Sequence, residues 1–271
     1  MNPASKPFKY SDHLPTITTI DGLKFCTWNV LFQKWLSMNI GPKGDGHIAK
    51  YFNQLATMDP ETRNSGILLT IYDLLKLEKI DVLALQEFDP ANLNTLRQFL
   101  QHLGNYNLVL PSDLNGYDNV SEEELTSKNS NDLQIVIYCK DTIKHNVGKS
   151  HMTYYMNKKD NSKKISKRIM NLSLSTEFST EFRFVNTHVL FMEINQLATY
   201  LNNIKKPDNQ KNLDIIIAGD MNQVDKPNNL NGLSVDHNIV VYNNDKLELK
   251  YTHIDTKGNY VFYDHIWNIV I

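Results

Sequence analysis

Cysteine is scarce: Cys26 and Cys139 are the only two in 271 residues. Two thiols are too few for a disulfide framework, and both fall in strand-like apolar runs. Buried free cysteines in a reducing compartment are therefore expected. Long apolar runs are missing as well. No segment approaches the roughly 18 consecutive apolar residues needed to cross a bilayer, so no stable membrane insertion is expected. The opening residues, MNPASKPFKYSDHLP, hold no apolar stretch of the kind a cleavable secretory signal needs. That favours a cytoplasmic or otherwise reducing location and leaves signal-independent export open. An excess of one charge is also absent. Lys plus Arg number 28 against 30 Asp plus Glu, a formal net charge of −2, so the whole molecule carries no electrostatic footprint for nucleic acid. A phosphate-rich substrate would have to be held by a local patch or by a metal.

What is present is a globular balance, 41% hydrophobic and 21% charged, long enough for one large core or two small domains. TITTI and LKFCTWNV alternate with period two around Asp21-Gly22, the preferred pair for a type I′ hairpin turn. The polar region from Gln33 to Asn64 reads as surface loop or short helix. SGILLTIYDLLKLEKI places Ile67, Leu68, Ile71, Leu74 and Leu75 on one helical stripe. In DPANLNTLRQFLQHL, Asp89 is a helix N-cap and Pro90 the first helical residue.

DVLALQE, YNLVL, LQIVIYC, IMNLSLSTEF and FRFVNTHV read as strands, and MEINQLATYLNNI as a helix. LDIIIAGD is apolar on both faces, which marks a central strand. NIVVY, KLELKYTHI and YVFYDHIWNIVI are strand-like, and Ser112 to Asp132 reads as a long loop. Helices interleaved with many strands predict one α/β domain over residues 1–271, with packed sheets inside and helices outside.

Polar groups end several of these strands: Trp28-Asn29, Gln86-Glu87, Asn186-Thr187-His188, Gly219-Asp220-Met221-Asn222 and Tyr263-Asp264-His265. Strand ends deliver side chains rigidly into a crevice. Residues two apart on a strand share a side, so Asp220 and Asn222 are expected to face one substrate. A carboxylate beside an amide suits a phosphoryl centre, one orienting or deprotonating water and the other donating to a non-bridging oxygen. Glu87 is a hard oxygen ligand suited to Mg²⁺. Taken singly, Asn29 and Glu87 also fit a cap or turn, His188 a structural histidine and Asp220 an Asx-turn. Their order along the chain is the stronger signal.

That ordered set, TWNVL, LALQEFD, FVNTHV, IIIAGDMN and YDHIW, resembles the endonuclease/exonuclease/phosphatase superfamily across nearly the whole chain. The superfamily includes pancreatic-type deoxyribonuclease, abasic-site endonucleases, deadenylases, neutral sphingomyelinases and inositol-polyphosphate phosphatases. NTHV…EINQLATYL is most similar to the deoxyribonuclease, sphingomyelinase and deadenylase branches, and the inositol-phosphatase signatures are missing. The resemblance implies a four-layer sandwich of two packed mixed β-sheets flanked by helices. One piece is displaced. The family's Ser-Asp-His-x-Pro motif follows the aspartate strand, whereas here it stands at Ser11 to Pro15. The chain therefore resembles a circular permutant, its hairpin joining the family's last strand to its first.

Carried over by position, the resemblance implies Glu87 and Asp12 as carboxylate ligands of Mg²⁺ or Mn²⁺, with Asn29 beside them. It implies Asp220 as the group acting on water, Asn222 and His188 as donors to the phosphate, and His13 as acid/base held by Asp264. His13, not His265, is then the catalytic histidine. The stretch NKKDNSKKISKR, with Lys163, Lys164, Lys167 and Arg168, reads as a phosphate-tracking loop or a solvated basic turn. Trp35, Tyr51, Phe52, Tyr154 and Tyr155 are available either for stacking bases or for packing. A metal-dependent nuclease acting as a monomer is the first expectation. A phosphodiesterase or phosphatase on lipid or small phosphoesters is the second, and a silent binding module the third.

Overall fold

The computed structural model describes residues 9–40, 46–115, 133–156, 163–177, 181–189, 214–222, 234–236, 240–241 and 251–270. The strands are β1 (Thr16–Ile20), β2 (Leu23–Asn29), β3 (Val82–Phe88), β4 (Tyr106–Val109) and β5 (Leu133–Cys139). They continue with β6 (Ile143–His145), β7 (His151–Met156), β8 (Lys163–Thr176), β9 (Glu181–His188) and β10 (Asp214–Asp220). Last come β11 (Ser234–Asp236), β12 (Val240–Val241), β13 (His253–Ile254), β14 (Tyr260–Val261) and β15 (Asp264–Val270). The helices are α1 (Gln33–Ile40), α2 (His47–Tyr51), α3 (Asn53–Thr57), α4 (Pro60–Lys76) and α5 (Leu93–Leu103).

Two mixed sheets pack face to face. One runs β12-β1-β2-β3-β5-β4; the other runs β11-β15-β10-β9-β8-β6, with β7 also paired to β8. Phe25 of β2 stacks on Phe184 of β9 at 5.8 Å and meets Phe182 edge-on at 6.0 Å, in the dry space between the sheets. Each fully buried side chain of this size contributes about 1.5–3 kcal/mol. Polar links cross the same space. Gln86 Nε2 donates to Asn186 Oδ1 (2.8 Å), and Asn186 Nδ2 donates to the carbonyls of Leu85 and Ile135. Buried amides satisfied in this way fix how the sheets sit, because any slip would leave them unpaired. Cys26 and Cys139 are buried free thiols, and burial pushes the Cys26 thiol up in pKa, which keeps it protonated.

The hairpin forms at Asp21-Gly22. Both residues have positive φ, 50° and 82°, and Ile20 pairs with Leu23 across them, as a type I′ turn requires. Helix α5 is entered through a short 3₁₀ turn over Pro90–Asn92, with the Asp89 carboxylate accepting from the Ala91 N–H. Helix α4 differs from its sequence reading, starting at Pro60 rather than Ser65. Asp59 caps it by accepting from the Thr62 N–H, and Pro60 fills the first turn. The polar region before it contains α1, α2 and α3. With Leu14, Leu31 and Ile254, their residues Leu36, Ile48, Phe52 and Leu55 make a second small core.

The helix read over residues 192–204 lies outside the described residues, as does most of the loop read over 112–132. Within NIVVY only β12 is described, and of KLELKYTHI only residues 251–254. Among the described residues, no helix is long and apolar enough to cross a membrane.

Candidate active site

Strand direction decides where the polar residues meet. β2 and β3 are parallel, as are β9 and β10, so Asn29, Glu87, His188 and Asp220 all stand at carboxyl-terminal ends. β15 runs antiparallel to β10 and begins where β10 finishes, with Asp264 opposite Asp220. β1 runs antiparallel to β2, so the residues just before it, Ser11 to Leu14, reach the same end.

That loop is tied on several sides. Ser11 Oγ donates to the Asn29 carbonyl (2.7 Å), Trp28 Nε1 to the His13 carbonyl (3.0 Å), and Arg63 Nε to the Tyr10 carbonyl (2.9 Å). His253 Nδ1 donates to the Asp12 carbonyl (2.8 Å), while its ring stacks on His13 at 4.4 Å. The other Arg63 nitrogens donate to the carbonyls of Val30 and Leu31 and to Gln33 Oε1. A backbone held by so many donors keeps the Asp12 and His13 side chains in place without a strand to carry them.

Asn29 sits at the middle of the cluster. Its amide nitrogen donates to Glu87 Oε1 (3.1 Å) and Asp220 Oδ2 (3.0 Å), and its oxygen accepts from the Leu31 N–H. Glu87 has φ +55° in a bulge of β3, and Oε2 accepts from the Phe32 N–H (3.2 Å). A left-handed glutamate within a strand is strained, and bulges of this kind re-aim side chains at functional sites. Two imidazoles flank Asp220: His13 Nε2 lies 3.6 Å and His188 Nε2 3.7 Å from its Oδ2. His188 Nε2 is also 3.6 Å from Glu87 Oε1. His13 Nδ1 bonds Asp264 Oδ2 at 2.8 Å.

Burial alone would lower the His13 pKa, but the carboxylates of Asp264, Asp220 and Asp12 outweigh it and hold the imidazole well above its usual value. Burial pushes the Asp264 carboxyl up to about 6, against the pull of His13. The pair shares one proton, and it belongs to His13, which has three carboxylates around it. Asp220 is lowered despite burial, because His13, His188 and the Asn29 amide favour its charged form. His253, by contrast, is lowered to about 4 by burial and by charged His13, and is a neutral donor.

Glycine is required at position 219. A Cβ there would sit 1.7 Å from the Thr187 carbonyl oxygen, so only glycine lets β10 approach β9 closely enough to bring Asp220 beside His188.

His13, Asn29, Glu87, His188, Asp220 and Asp264 are thus brought into one cluster, with Asp12 beside it through His253. Asn222 differs from expectation. β10 ends at Asp220, so strand alternation does not govern a residue beyond it. Asn222 has φ +48°, its N–H donates to Asp220 Oδ1, and its amide nitrogen donates to the Val189 carbonyl. His265 pairs with Gly219 on the opposite face of β15 from Asp264, its ring 5.2 Å from both Phe262 and Trp267.

The basic stretch is not a loop at its carboxyl-terminal end. Lys163, Lys164, Lys167 and Arg168 belong to β8, which the alternating KISKRIMNLSL explains. The side chains of Lys163, Lys164, Lys167, Tyr154 and Tyr155 lie outside what is described. Arg168 bonds His188 Nδ1 at 3.0 Å. Of the candidate stacking aromatics, Phe52 is core, Tyr51 packs against Gly258, and Trp35 meets Phe32 edge-on. Sequence reading missed Arg63, Arg168 as a partner of His188, and His253. None has a local signature, because each is defined by what the fold brings beside it.

A divalent cation fits this donor set. Asp12, Glu87, Asp220 and Asp264 are 8%, 9%, 1% and 0% exposed, and the protein cations described beside them are Arg63 and His13. Carboxylates concentrated away from water need positive charge. Ligand atoms of Asp12, His13 and His253 lie within 4.8 Å of one another, as do those of His13, Asp220 and Asp264, and with His13 charged the carboxylates are the members that would take an ion.

No protein-family model matches the chain, and no curated protein does. Solved structures do. An endonuclease/exonuclease/phosphatase from Bacteroides vulgatus aligns with a TM-score of 0.56 at 14% identity, over 90% of this chain and 86% of that one. TDP2 of D. rerio, complexed with a single-strand DNA product, gives 0.51 at 16% identity, over 91% and 83%. ANGEL2, a 2′,3′-cyclic phosphatase, gives 0.51 at 17%, over 80% of this chain but 55% of that one, so the chain spans about half its length. At these identities the likeness shows the fold: the chain has the endonuclease/exonuclease/phosphatase architecture.

Proposed function

We propose that this chain hydrolyses phosphoester bonds with Mg²⁺ or Mn²⁺, and that its substrate is a nucleic acid phosphodiester. One observation carries the reading. Buried Asp12, Glu87, Asp220 and Asp264 collect with His13, His188 and Asn29 at a single end of both sheets, where hydrogen bonds join His13 to Asp264 and Asn29 to Glu87 and Asp220. Both imidazoles lie 3.6–3.7 Å from the Asp220 carboxylate, and His188 lies 3.6 Å from that of Glu87. Glu87 and Asp12, with Asn29 beside Glu87, would hold the cation. When bound, the cation polarises phosphoryl oxygens and offsets developing negative charge.

The chain's own groups do the rest. Asp220, kept ionised by its neighbours, orients or deprotonates the attacking water. His188 and Asn222 donate to non-bridging oxygens. His13, charged and steadied by Asp264, stabilises the transition state and gives its proton to the leaving oxygen. Such displacement needs little covalent help, so position and charge carry the rate.

The order of motifs is part of the reading. Ser11 to Pro15 takes the place of a Ser-Asp-His-x-Pro segment that in the resembling family follows the aspartate strand, so the chain is a circular permutant. The paired β1–β2 hairpin and the His13–Asp264 contact support this. Moving residues 9–20 to follow residue 271 through a flexible linker should then restore activity to a chain shortened at its start, and failure of the two-ended variant to fold would count against it.

A second reading, a small or lipid phosphoester as substrate, is favoured by a mannosyl-6-phosphatase from Bacteroides thetaiotaomicron among the similar structures. A substrate panel separates the two: plasmid, single-stranded DNA, RNA, polyadenylate, phosphoinositides and sphingomyelin, with Mg²⁺ or Mn²⁺ against EDTA. Cleavage of polynucleotides only, lost in EDTA, is expected. Neutralising Lys163, Lys164, Lys167 and Arg168 together should also flatten the salt dependence of binding. Cleavage confined to the small or lipid esters would select the second reading, and no metal-dependent hydrolysis would reject both.

A further inference from the structure

The second sheet presents a row of side chains across four neighbouring strands. Asp264 on β15 stands opposite Asp220 on β10, and Asp220 is level with His188 on β9. Ile169 of β8 faces Thr187 of β9, so one further step along the pair sets Arg168 opposite His188. Cross-strand neighbours on one face lie close enough to bond directly, and here Arg168 Nη1 is 3.0 Å from His188 Nδ1.

The chemistry of that contact is one-sided. A guanidinium offers only N–H donors and keeps its charge at any ordinary pH. It can bond an imidazole nitrogen only where that nitrogen holds a free lone pair. Nδ1 of His188 is therefore the acceptor, and the ring's single proton stands on Nε2. Nε2 is the nitrogen that points toward Glu87 Oε1 and Asp220 Oδ2, at 3.6 and 3.7 Å. His13 is held the other way, with an acceptor, Asp264 Oδ2, behind its Nδ1. A carboxylate there supports a doubly protonated ring.

We infer that Arg168 is a positioning residue that holds His188 with its lone pair on Nδ1 and its proton on Nε2. His188 then serves the site as a fixed hydrogen-bond donor, and proton transfer falls to His13 alone. The second sentence rests on the phosphoester-hydrolase reading; the tautomer does not, since it is a property of the resting protein. No bond is made or broken in fixing it.

The test is long-range ¹H–¹⁵N correlation spectroscopy of the full chain without substrate, with the His188 signals assigned by their loss in His188→Gln. In the wild type, Nε2 should show the shift of a protonated nitrogen and Nδ1 that of an unprotonated one. Arg168→Lys keeps a donor and should keep the pattern. Arg168→Glu exchanges donor for acceptor and should put a proton on Nδ1. If the hydrolytic reading also holds, turnover should fall about 10²-fold in Arg168→Glu, the low end for a misdirected polar catalytic group, and Arg168→Lys should recover most of that loss. A proton on Nδ1 in the wild type overturns the inference, as does a tautomer unmoved by Arg168→Glu. The expected spectra with no hydrolysis of any phosphoester would uphold the role of Arg168 and reject the hydrolytic reading.

Discussion

The two ends of the sandwich are built differently. At one end the strands stop in carboxylates, imidazoles and amides that fill the space between them with hydrogen bonds. At the other, beneath the Asp21-Gly22 turn, lies a cavity of about 330 Å³ with an apolar floor of Ile20, Leu23, Phe25, Phe182 and Ile216. Among the described residues, no imidazole lines this cavity. A void marks where packing is loose, whereas the clustered carboxylates and imidazoles sit where packing is tight.

If that contrast is right, changes at the polar end should remove turnover and spare the fold, and changes at the apolar end should do the reverse. The largest effect on rate is expected from His13→Ala, a loss of about 10²–10⁴-fold, the usual worth of a positioned proton-transfer group. His265→Ala should cost far less, because that ring packs on Phe262 and Trp267. Equal losses in both variants would erase the distinction. Asp220→Ala should lie in the same range of about 10²–10⁴-fold. Asn222→Ala should be milder, since its amide nitrogen is already used on the Val189 carbonyl. Near-normal turnover in Asp220→Ala would reduce the segment to a turn.

At the other end, Phe182→Ala should destabilise the protein by about 3–5 kcal/mol in denaturant unfolding, as large-to-small core changes do, with kcat of the folded fraction preserved. A fall in kcat without a fall in stability would couple the two ends. The smallest effect is expected from Gly22→Ala. Its φ of +82° is strained for alanine but open space surrounds it, so a loss of about 1 kcal/mol is expected. A loss several times larger would mean the hairpin anchors more than its own turn.

Much of this was legible in the sequence, for local reasons. The hairpin follows from alternation around Asp-Gly, and the entry to α5 from Asp89 and Pro90, which start the 3₁₀ turn that leads into it at Leu93. The strand-end placement of Asn29, Glu87, His188 and Asp220 follows from apolar runs that stop in polar residues, whereas Asp264 opens its strand. What was not legible depends on contacts between distant segments. The start of α4 at Pro60 was masked by the polar run Glu61 to Asn64, which breaks the apolar stripe although Arg63 within it is buried. Arg63 looks like any helical arginine until the carbonyls of Val30 and Leu31 converge on it. The direction of Asn222 was not legible because the residue lies beyond the end of β10, where strand alternation no longer applies. Arg168 read as one more charge in a basic run, and only sheet register brings it to His188.

The most direct test of the polar end as a metal-dependent hydrolytic centre is calorimetric titration of Mn²⁺ into the wild type and into Glu87→Gln, with hydrolysis assayed on the same samples. Glu87 stands at a strand end, so removing its charge should leave the fold, monitored by circular dichroism, intact. Loss of both Mn²⁺ binding and hydrolysis in the folded variant is the predicted result. Undiminished Mn²⁺ binding with undiminished hydrolysis would contradict it.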